Sequence, residues 1–234
     1  MAGAAALKVN LAQARARIEN ACRRMGRDPA EVILVAVTKT VDVDMVRAGI
    51  AAGMTHLGEN RPQELVRKKG LIDADVRWHL IGQLQRNKVK DMIGAAWLIH
   101  SLDRESLAAE IQKRAAQNHC VQPVLVEVNI AGEDTKSGMD PGDAIPFIEG
   151  MKEYPNLLVQ GLMVMAPYYH DPEMTRPVFR EAKMLYDSIV ARKWTHVDMR
   201  YLSMGMSNDY EIAVEEGATM VRIGRALFGE RVYG

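Results

Sequence analysis

The sequence predicts an α/β fold, a single (β/α)8 barrel over residues 1–234 with an extra N-terminal helix. Three observations point there. Short β-branched runs alternate with stretches of helical apolar spacing. The runs are apolar along their length, as strands buried on both faces of a parallel sheet are. Eight such units in about 200–250 residues suit a closed barrel better than an open doubly wound sheet. No Gly-x-Gly-x-x-Gly follows the first run, which weighs against a dinucleotide-binding sheet.

The elements follow in order. Leu7, Leu11, Ala14 and Ile18 recur at helical spacing, so residues 6–25 form an amphipathic helix, and Lys8 interrupts the apolar opening too early for a signal peptide. The first strand is 32–37, Val-Ile-Leu-Val-Ala-Val. Further strands are expected at 54–58, 77–81, 96–100, 123–130, 158–165, 199–203 and 219–223. Helices are expected at 42–52, 61–70, 84–92, 103–118, 141–152, 173–193 and 208–216. No composition break divides the chain, and loops 131–140 and 166–172 are short enough to be rims of a site.

Lys plus Arg and Asp plus Glu are each 30, so no basic excess calls for a nucleic-acid partner. The basic clusters Arg67-Lys68-Lys69 and Arg86–Lys90 are expected to be solvated helix faces. Two distant cysteines, Cys22 and Cys120, offer no metal spacing and fit a reduced, cytoplasmic setting. No run approaches a membrane span.

In such barrels the reactive groups stand at the carboxyl ends of the strands, and phosphates favour the loops after strands seven and eight. Lys39 follows six apolar residues, so its stem starts in the barrel wall. It is either an amine tuned by burial for Schiff-base chemistry or a lysine snorkelling from a strand end. The loop Ser203-Met-Gly-Met-Ser207 opens a helix, with Asn208 and Glu211 as a capping-box-like pair, and its free N–H groups suit either an anion or an ordinary cap. Gly224 allows a backbone amide near the same place. Met220, Arg222 and Gly224 share one strand face, expected to point inward. Arg222 then needs an acceptor: a cofactor ring nitrogen, or a structural ion pair with Glu127 or Glu59. Asn60 either bonds a ring hydroxyl or caps the next helix. His79 is expected to be a satisfied core histidine, Asp134 and Lys136 to pair with each other, and Met163, Met165, Met204 and Met206 to pack as adaptable filler.

Seven segments in order carry a resemblance. They are Val37-Thr-Lys39-Thr, Gly58-Glu-Asn60-Arg-Pro-Gln-Glu, Trp78-His-Leu-Ile-Gly82 with the run to Lys90, Val128 to Gly138, Gly161-Leu-Met, Leu202-Ser-Met-Gly-Met-Ser207 and Val221-Arg-Ile-Gly224. From about residue 5 onward the chain resembles the pyridoxal phosphate homeostasis proteins, related to the N-terminal barrel of alanine racemase. The resemblance implies pyridoxal 5′-phosphate (PLP) on Lys39. It implies a phosphate held by Ser207 and the amides of Gly224 and Arg225, with Ser203 nearby, and Arg222 facing the pyridine nitrogen. Such an arginine keeps that nitrogen unprotonated, so carbanion chemistry is expected to be slow. Arg225 stands where many relatives carry threonine, which preserves a backbone contact but not a hydroxyl one. Val43 stands where racemases carry a tyrosine, and the chain ends at Gly234, leaving no room for a racemase's second domain.

The expected function is a PLP-binding protein of vitamin B6 homeostasis that passes the cofactor to apo-enzymes, with no catalytic residue of its own. The rivals are a PLP-dependent racemase, a Schiff-base aldolase without PLP, and a protein-binding module. The Lys136 loop and the basic 86–90 segment are places where a second PLP could sit.

Overall fold

The computed structural model describes residues 3–133 and 137–229. Eight parallel strands close into a barrel in sequence order, β1 next to β8. They are β1 (Ile33–Val37), β2 (His56–Glu59), β3 (Arg77–Leu80), β4 (Leu98–Leu102), β5 (Gln122–Val128), β6 (Leu157–Val164), β7 (Val197–Ser203) and β8 (Met220–Ile223). Around them lie α1 (Ala4–Arg24), α2 (Val43–Ala51), α3 (Pro62–Leu71), α4 (Val89–Met92), α5 (Glu105–Gln117), α6 (Pro141–Gly150), α7 (Arg176–Val190), α8 (Tyr210–Glu215) and α9 (Arg225–Phe228).

Every expected strand forms, within a few residues of its expected bounds. The helices differ more. The 84–92 stretch divides into a 3-10 turn, Arg86–Lys88, and the single turn α4. The 208–216 helix starts at Tyr210, and α9 follows β8 where no helix is expected. Four residues are too few for a 3.6-residue period to register.

Local chemistry sets the boundaries. Asp42 caps α2 by accepting from the Met45 N–H at 2.8 Å, and Asp140 caps α6 through Gly142 N at 2.8 Å with Pro141 in the first turn. Helix α1 buries Leu7, Leu11, Ala14, Ile18, Ala21 and Cys22 against the ring of helices. It is tied there by Asn10 Nδ2 donating to Leu227 O at 2.9 Å and by the pairs Arg17–Glu211 and Arg24–Glu215.

Strand parity splits the apolar residues into two layers. One large cluster fills the space between strands and helices. A small one, Val35, Leu98, Leu125, Met163 and Met220, fills the barrel itself. Met220 in that inner layer places Arg222, two residues on, on the inward face at the carboxyl end. Gly161 permits the closure: a Cβ there would lie 1.7 Å from Tyr201 O, where the β6–β7 register shifts.

Candidate functional site at the carboxyl end of the barrel

A cavity of about 570 Å³ opens at the carboxyl ends of β1, β6, β7 and β8. Lys39, Ser207, Arg222, Gly224 and Arg225 line it together, with Met165, Tyr168, Met206 and Asp209 among the other walls. Its size lies within the roughly 300–1,000 Å³ of small-molecule sites. Three cationic side chains face one carboxylate, a balance that suits a phosphorylated ligand.

Lys39 is half-buried on a tightly fixed backbone. Lys68, fully buried, donates to Thr38 O at 2.6 Å, Glu59 Oε1 at 2.9 Å and Glu64 Oε1 at 2.8 Å. Glu64 Oε1 also accepts from Thr40 N at 2.8 Å, and Thr38 Oγ1 donates to Glu59 Oε1 at 2.6 Å. The residues on both sides of Lys39 are therefore clamped by one charged network. Thr40 needs it, because a β-branched residue at φ 63° sits in a sparsely populated region. Burial pushes the Glu59 carboxyl up despite Thr38 and Lys68. Burial also acts on Glu64, but its bonds to Lys68 and Thr40 outweigh that and hold it low. The expectation that Lys68 belongs to a solvated face is corrected. Leu65, Lys68 and Ile72 follow the helical spacing of the buried side, a signal the charge run Arg67–Lys69 hides. The Arg86–Lys90 segment does present Arg86 and Lys90 to solvent.

Arg222 is 4% exposed. Its Nη1 donates to Ser203 Oγ at 2.7 Å and its Nη2 to Val164 O at 3.0 Å. The alternative of an ion pair with Glu127 or Glu59 is not realised; both contacts are to neutral oxygens. Burial pushes the guanidinium down to about 10, and Glu127 and Asp209 act on it only through space. Glu127, on the inward face of β5, accepts from Gln83 Nε2 at 2.6 Å, while its Oε1 is buried without a partner. Burial and then Asp103 raise its carboxyl to about 7.

Ser203 does not reach the cavity wall. It is fully buried one layer below, bonded to Arg222 and to His100 Nδ1 at 3.2 Å. Ser207 does line it, and its Oγ accepts from Gly224 N at 3.2 Å and Ala226 N at 3.3 Å. The second converging amide is thus that of Ala226, on the unexpected α9, while Arg225 contributes to the cavity lip. The Asn208–Glu211 capping box is absent. Asp209 is the N-cap residue of α8 and its carboxylate accepts from Met206 N at 2.6 Å, Asn208 Nδ2 donates to Tyr169 O, and Glu211 pairs with Arg17. Met165 and Met206 line the cavity rather than serving only as filler, whereas Met163 and Met204 are buried.

Asn60 stands at the end of β2, beside Gly82, whose Cβ would meet Asn60 O at 2.4 Å. It does not cap α3, whose N-cap is Arg61 with no side-chain bond. His79 is a satisfied core histidine as expected, with both ring nitrogens bonded to other histidines. Asp134 and Lys136 lie outside the described residues.

The alanine racemase N-terminal domain model matches residues 9–232. A protein of Aquifex aeolicus named pyridoxal phosphate homeostasis protein is 49% identical over 218 residues, 93% of this chain and 95% of that one. A solved protein of Bifidobacterium adolescentis, described as unknown, superposes with TM-score 0.90 at 36% identity, covering 96% of this chain and 95% of that one. PipY of Synechococcus elongatus, solved with PLP bound, superposes with TM-score 0.83 at 31% identity, covering 95% of this chain and all of PipY (100%).

Proposed function

This chain belongs to the family of pyridoxal phosphate homeostasis proteins, built on the alanine racemase N-terminal domain, and from that premise we propose that it holds PLP on Lys39 as a Schiff base and releases it to apo-enzymes. The observation that carries the reading is Arg222. A guanidinium buried in the barrel, backed only by neutral oxygens, lines the same cavity as Lys39. A ligand that brings an acceptor to Arg222 and an aldehyde to Lys39 meets both demands.

When bound, the cofactor supplies an electrophilic aldehyde and a ring that can serve as an electron sink. Each residue then has a task. Lys39 Nζ, at the cavity wall, would be the amine that holds the aldehyde carbon. Ser207 Oγ, held by the N–H groups of Gly224 and Ala226, would present its hydroxyl proton to a phosphate oxygen, with Gly224 and Arg225 beside it in the cavity wall. Asn60, at the end of β2, would bond the ring hydroxyl. Arg222, a donor only, would face the pyridine nitrogen and leave it without a proton of its own, which would weaken the sink and favour holding over turnover. Ser203 acts through Arg222.

A visible spectrum, followed by borohydride reduction and peptide mapping, tests this. The expected result is a yellow protein whose pyridoxyl label sits on Lys39, and no label in Lys39→Ala. A colourless protein that takes up no PLP overturns the reading. Sustained formation of D-alanine from L-alanine overturns the carrier role. Failure of the loaded protein to restore activity to a PLP-dependent apo-enzyme removes the release step.

A further inference from the structure

Three histidines on consecutive strands form a chain through the barrel. His56 Nδ1 lies 2.8 Å from His79 Nε2, His79 Nδ1 lies 2.9 Å from His100 Nε2, and His100 Nδ1 lies 3.2 Å from Ser203 Oγ. Ser203 in turn accepts from Arg222. The chain starts at a second cavity, about 430 Å³ in volume, which His56 lines beneath α1 at the amino-terminal ends of β1 and β2. It ends at the cavity that Lys39 lines.

We propose that His56, His79, His100 and Ser203 are a proton-ordered relay that positions Arg222 for the ring nitrogen of the cofactor. The direction of the relay follows from hydrogen-bond chemistry. A guanidinium can only donate, so Ser203 Oγ accepts from Arg222 and has one proton of its own. The described acceptor for that proton is His100 Nδ1. His100 then carries its proton on Nε2 and donates to His79 Nδ1. His79 carries its proton on Nε2 and donates to His56 Nδ1. His56 is left with Nε2–H at the far end. In the opposite polarity His100 would donate to Ser203, and the buried serine proton would have no described acceptor. One donor-only side chain at the mouth thus sets the tautomer of a ring on the far side of the barrel.

The surroundings keep the rings neutral. His79 and His100 are buried, with Arg77 and the other rings facing His79, and Arg222 and His56 facing His100; His56 faces Arg77. No carboxylate is among these neighbours to stabilise an imidazolium. Trp97 packs edge-on against both His56 and His79, and Arg77 covers the Trp97 ring at 4.8 Å, which fixes the ring planes.

The inference rests on the cofactor reading above, but its first test does not. Nitrogen-15 NMR of histidine-labelled protein without PLP is expected to show all three rings as neutral Nε2–H tautomers at pH 7. Any of the three found as Nδ1–H or as imidazolium overturns the relay. The second test compares PLP-loaded His79→Leu and His79→Gln. The leucine breaks the chain; the glutamine amide can accept from His100 and donate to His56. PLP retention is expected to weaken about tenfold in the leucine variant, with a displaced pH profile of the visible band, and to recover in the glutamine variant. Equal retention and equal profiles in wild type and folded His79→Leu overturn the positioning role. If wild type takes up no PLP, the cofactor reading falls, and the tautomers alone decide the relay.

Discussion

Two polar networks are buried on neighbouring strands, and they are built on opposite principles. Around Lys39 the network is charged: Lys68, Glu59 and Glu64 grip the backbone at Thr38 and Thr40. Across the barrel interior it is neutral: three imidazoles and a hydroxyl pass hydrogen bonds from one end to the other. The difference follows from where the charge can go. Glu64 keeps 18% of its side chain in solvent, so the clamp's ion pair is partly hydrated. His79 and His100 are fully buried and meet only neutral groups or cations, so a charge on them would cost several kcal/mol in lost hydration. A charged network therefore fixes a strained backbone at the rim, and a neutral one aligns a guanidinium from below.

The comparison breaks most visibly at Lys68. Lys68→Met removes the hub and leaves Glu59 buried without its cation, so a loss of about 3–5 kcal/mol is expected in urea unfolding. Borohydride labelling of Lys39 should fall in parallel, because the backbone on both sides is released. A Lys68→Met protein as stable as wild type would show that the clamp is ornamental.

Acid separates the two networks. Burial and Arg77 push the His56 imidazole down to about 4 from 6.5, and His79 and His100 are lowered as well, burial again leading. The unfolded chain binds those protons first, so the chain's stability is complete above pH 6.5 and is lost as pH falls toward 4. For His56, partly hydrated at the second cavity, the contribution is expected to fall below the roughly 3 kcal/mol of the full shift. Glu64, held below the ordinary carboxylate value of 4.5, contributes fully above that value and loses its share as pH falls below it. The histidines' share of stability is thus expected to decline from pH 6.5 downward, with Glu64's share lost later. In Glu127→Gln, where a carboxyl of opposite sign no longer offsets the histidines, a folding free energy flat between pH 6.5 and 4.5 would contradict neutral histidines.

Glu127 sharpens the contrast, because its sign is reversed. Its folded carboxyl titrates near 7 against an ordinary 4.5, so it costs stability as pH rises through that window. Glu127→Gln should stabilise the protein at pH 8 by about 2 kcal/mol, below the roughly 3 kcal/mol ceiling of the shift. It should leave stability at pH 4.5 nearly unchanged. Equal effects at both pH values would mean that Glu127 contributes through packing.

The strands are legible because a parallel barrel favours apolar runs at regular spacing, although β2, β3 and β7 carry polar residues among the apolar ones. Lys39, Ser207, Arg222 and Gly224 are visible because they stand where strands end. The supports were harder to see. Lys68 hides inside a charge run, although its helical phase with Leu65 and Ile72 marks the buried face. The histidine chain joins residues 23 and then 21 positions apart, about one strand–helix unit each, so its members look unrelated along the chain. Ser203 lies one layer behind the cavity wall, a distinction that strand position alone does not make. Ala226 went unseen because α9 is a single turn.

Asn60 is where the two regions meet, next in sequence to Glu59 of the clamp and beside Gly82 at the end of β3. Its side chain neither caps α3 nor makes a hydrogen bond among the described residues, so little folding energy rests on it. Asn60→Ala should change stability by no more than about 0.5 kcal/mol. If Asn60 meets the ring hydroxyl, the same substitution weakens PLP retention severalfold, roughly one neutral hydrogen bond's worth. Thermal unfolding of the PLP-free protein and a competition assay for bound PLP read the two effects separately. A large drop in melting temperature would assign Asn60 to the clamp, and unchanged retention would remove it from the cofactor site.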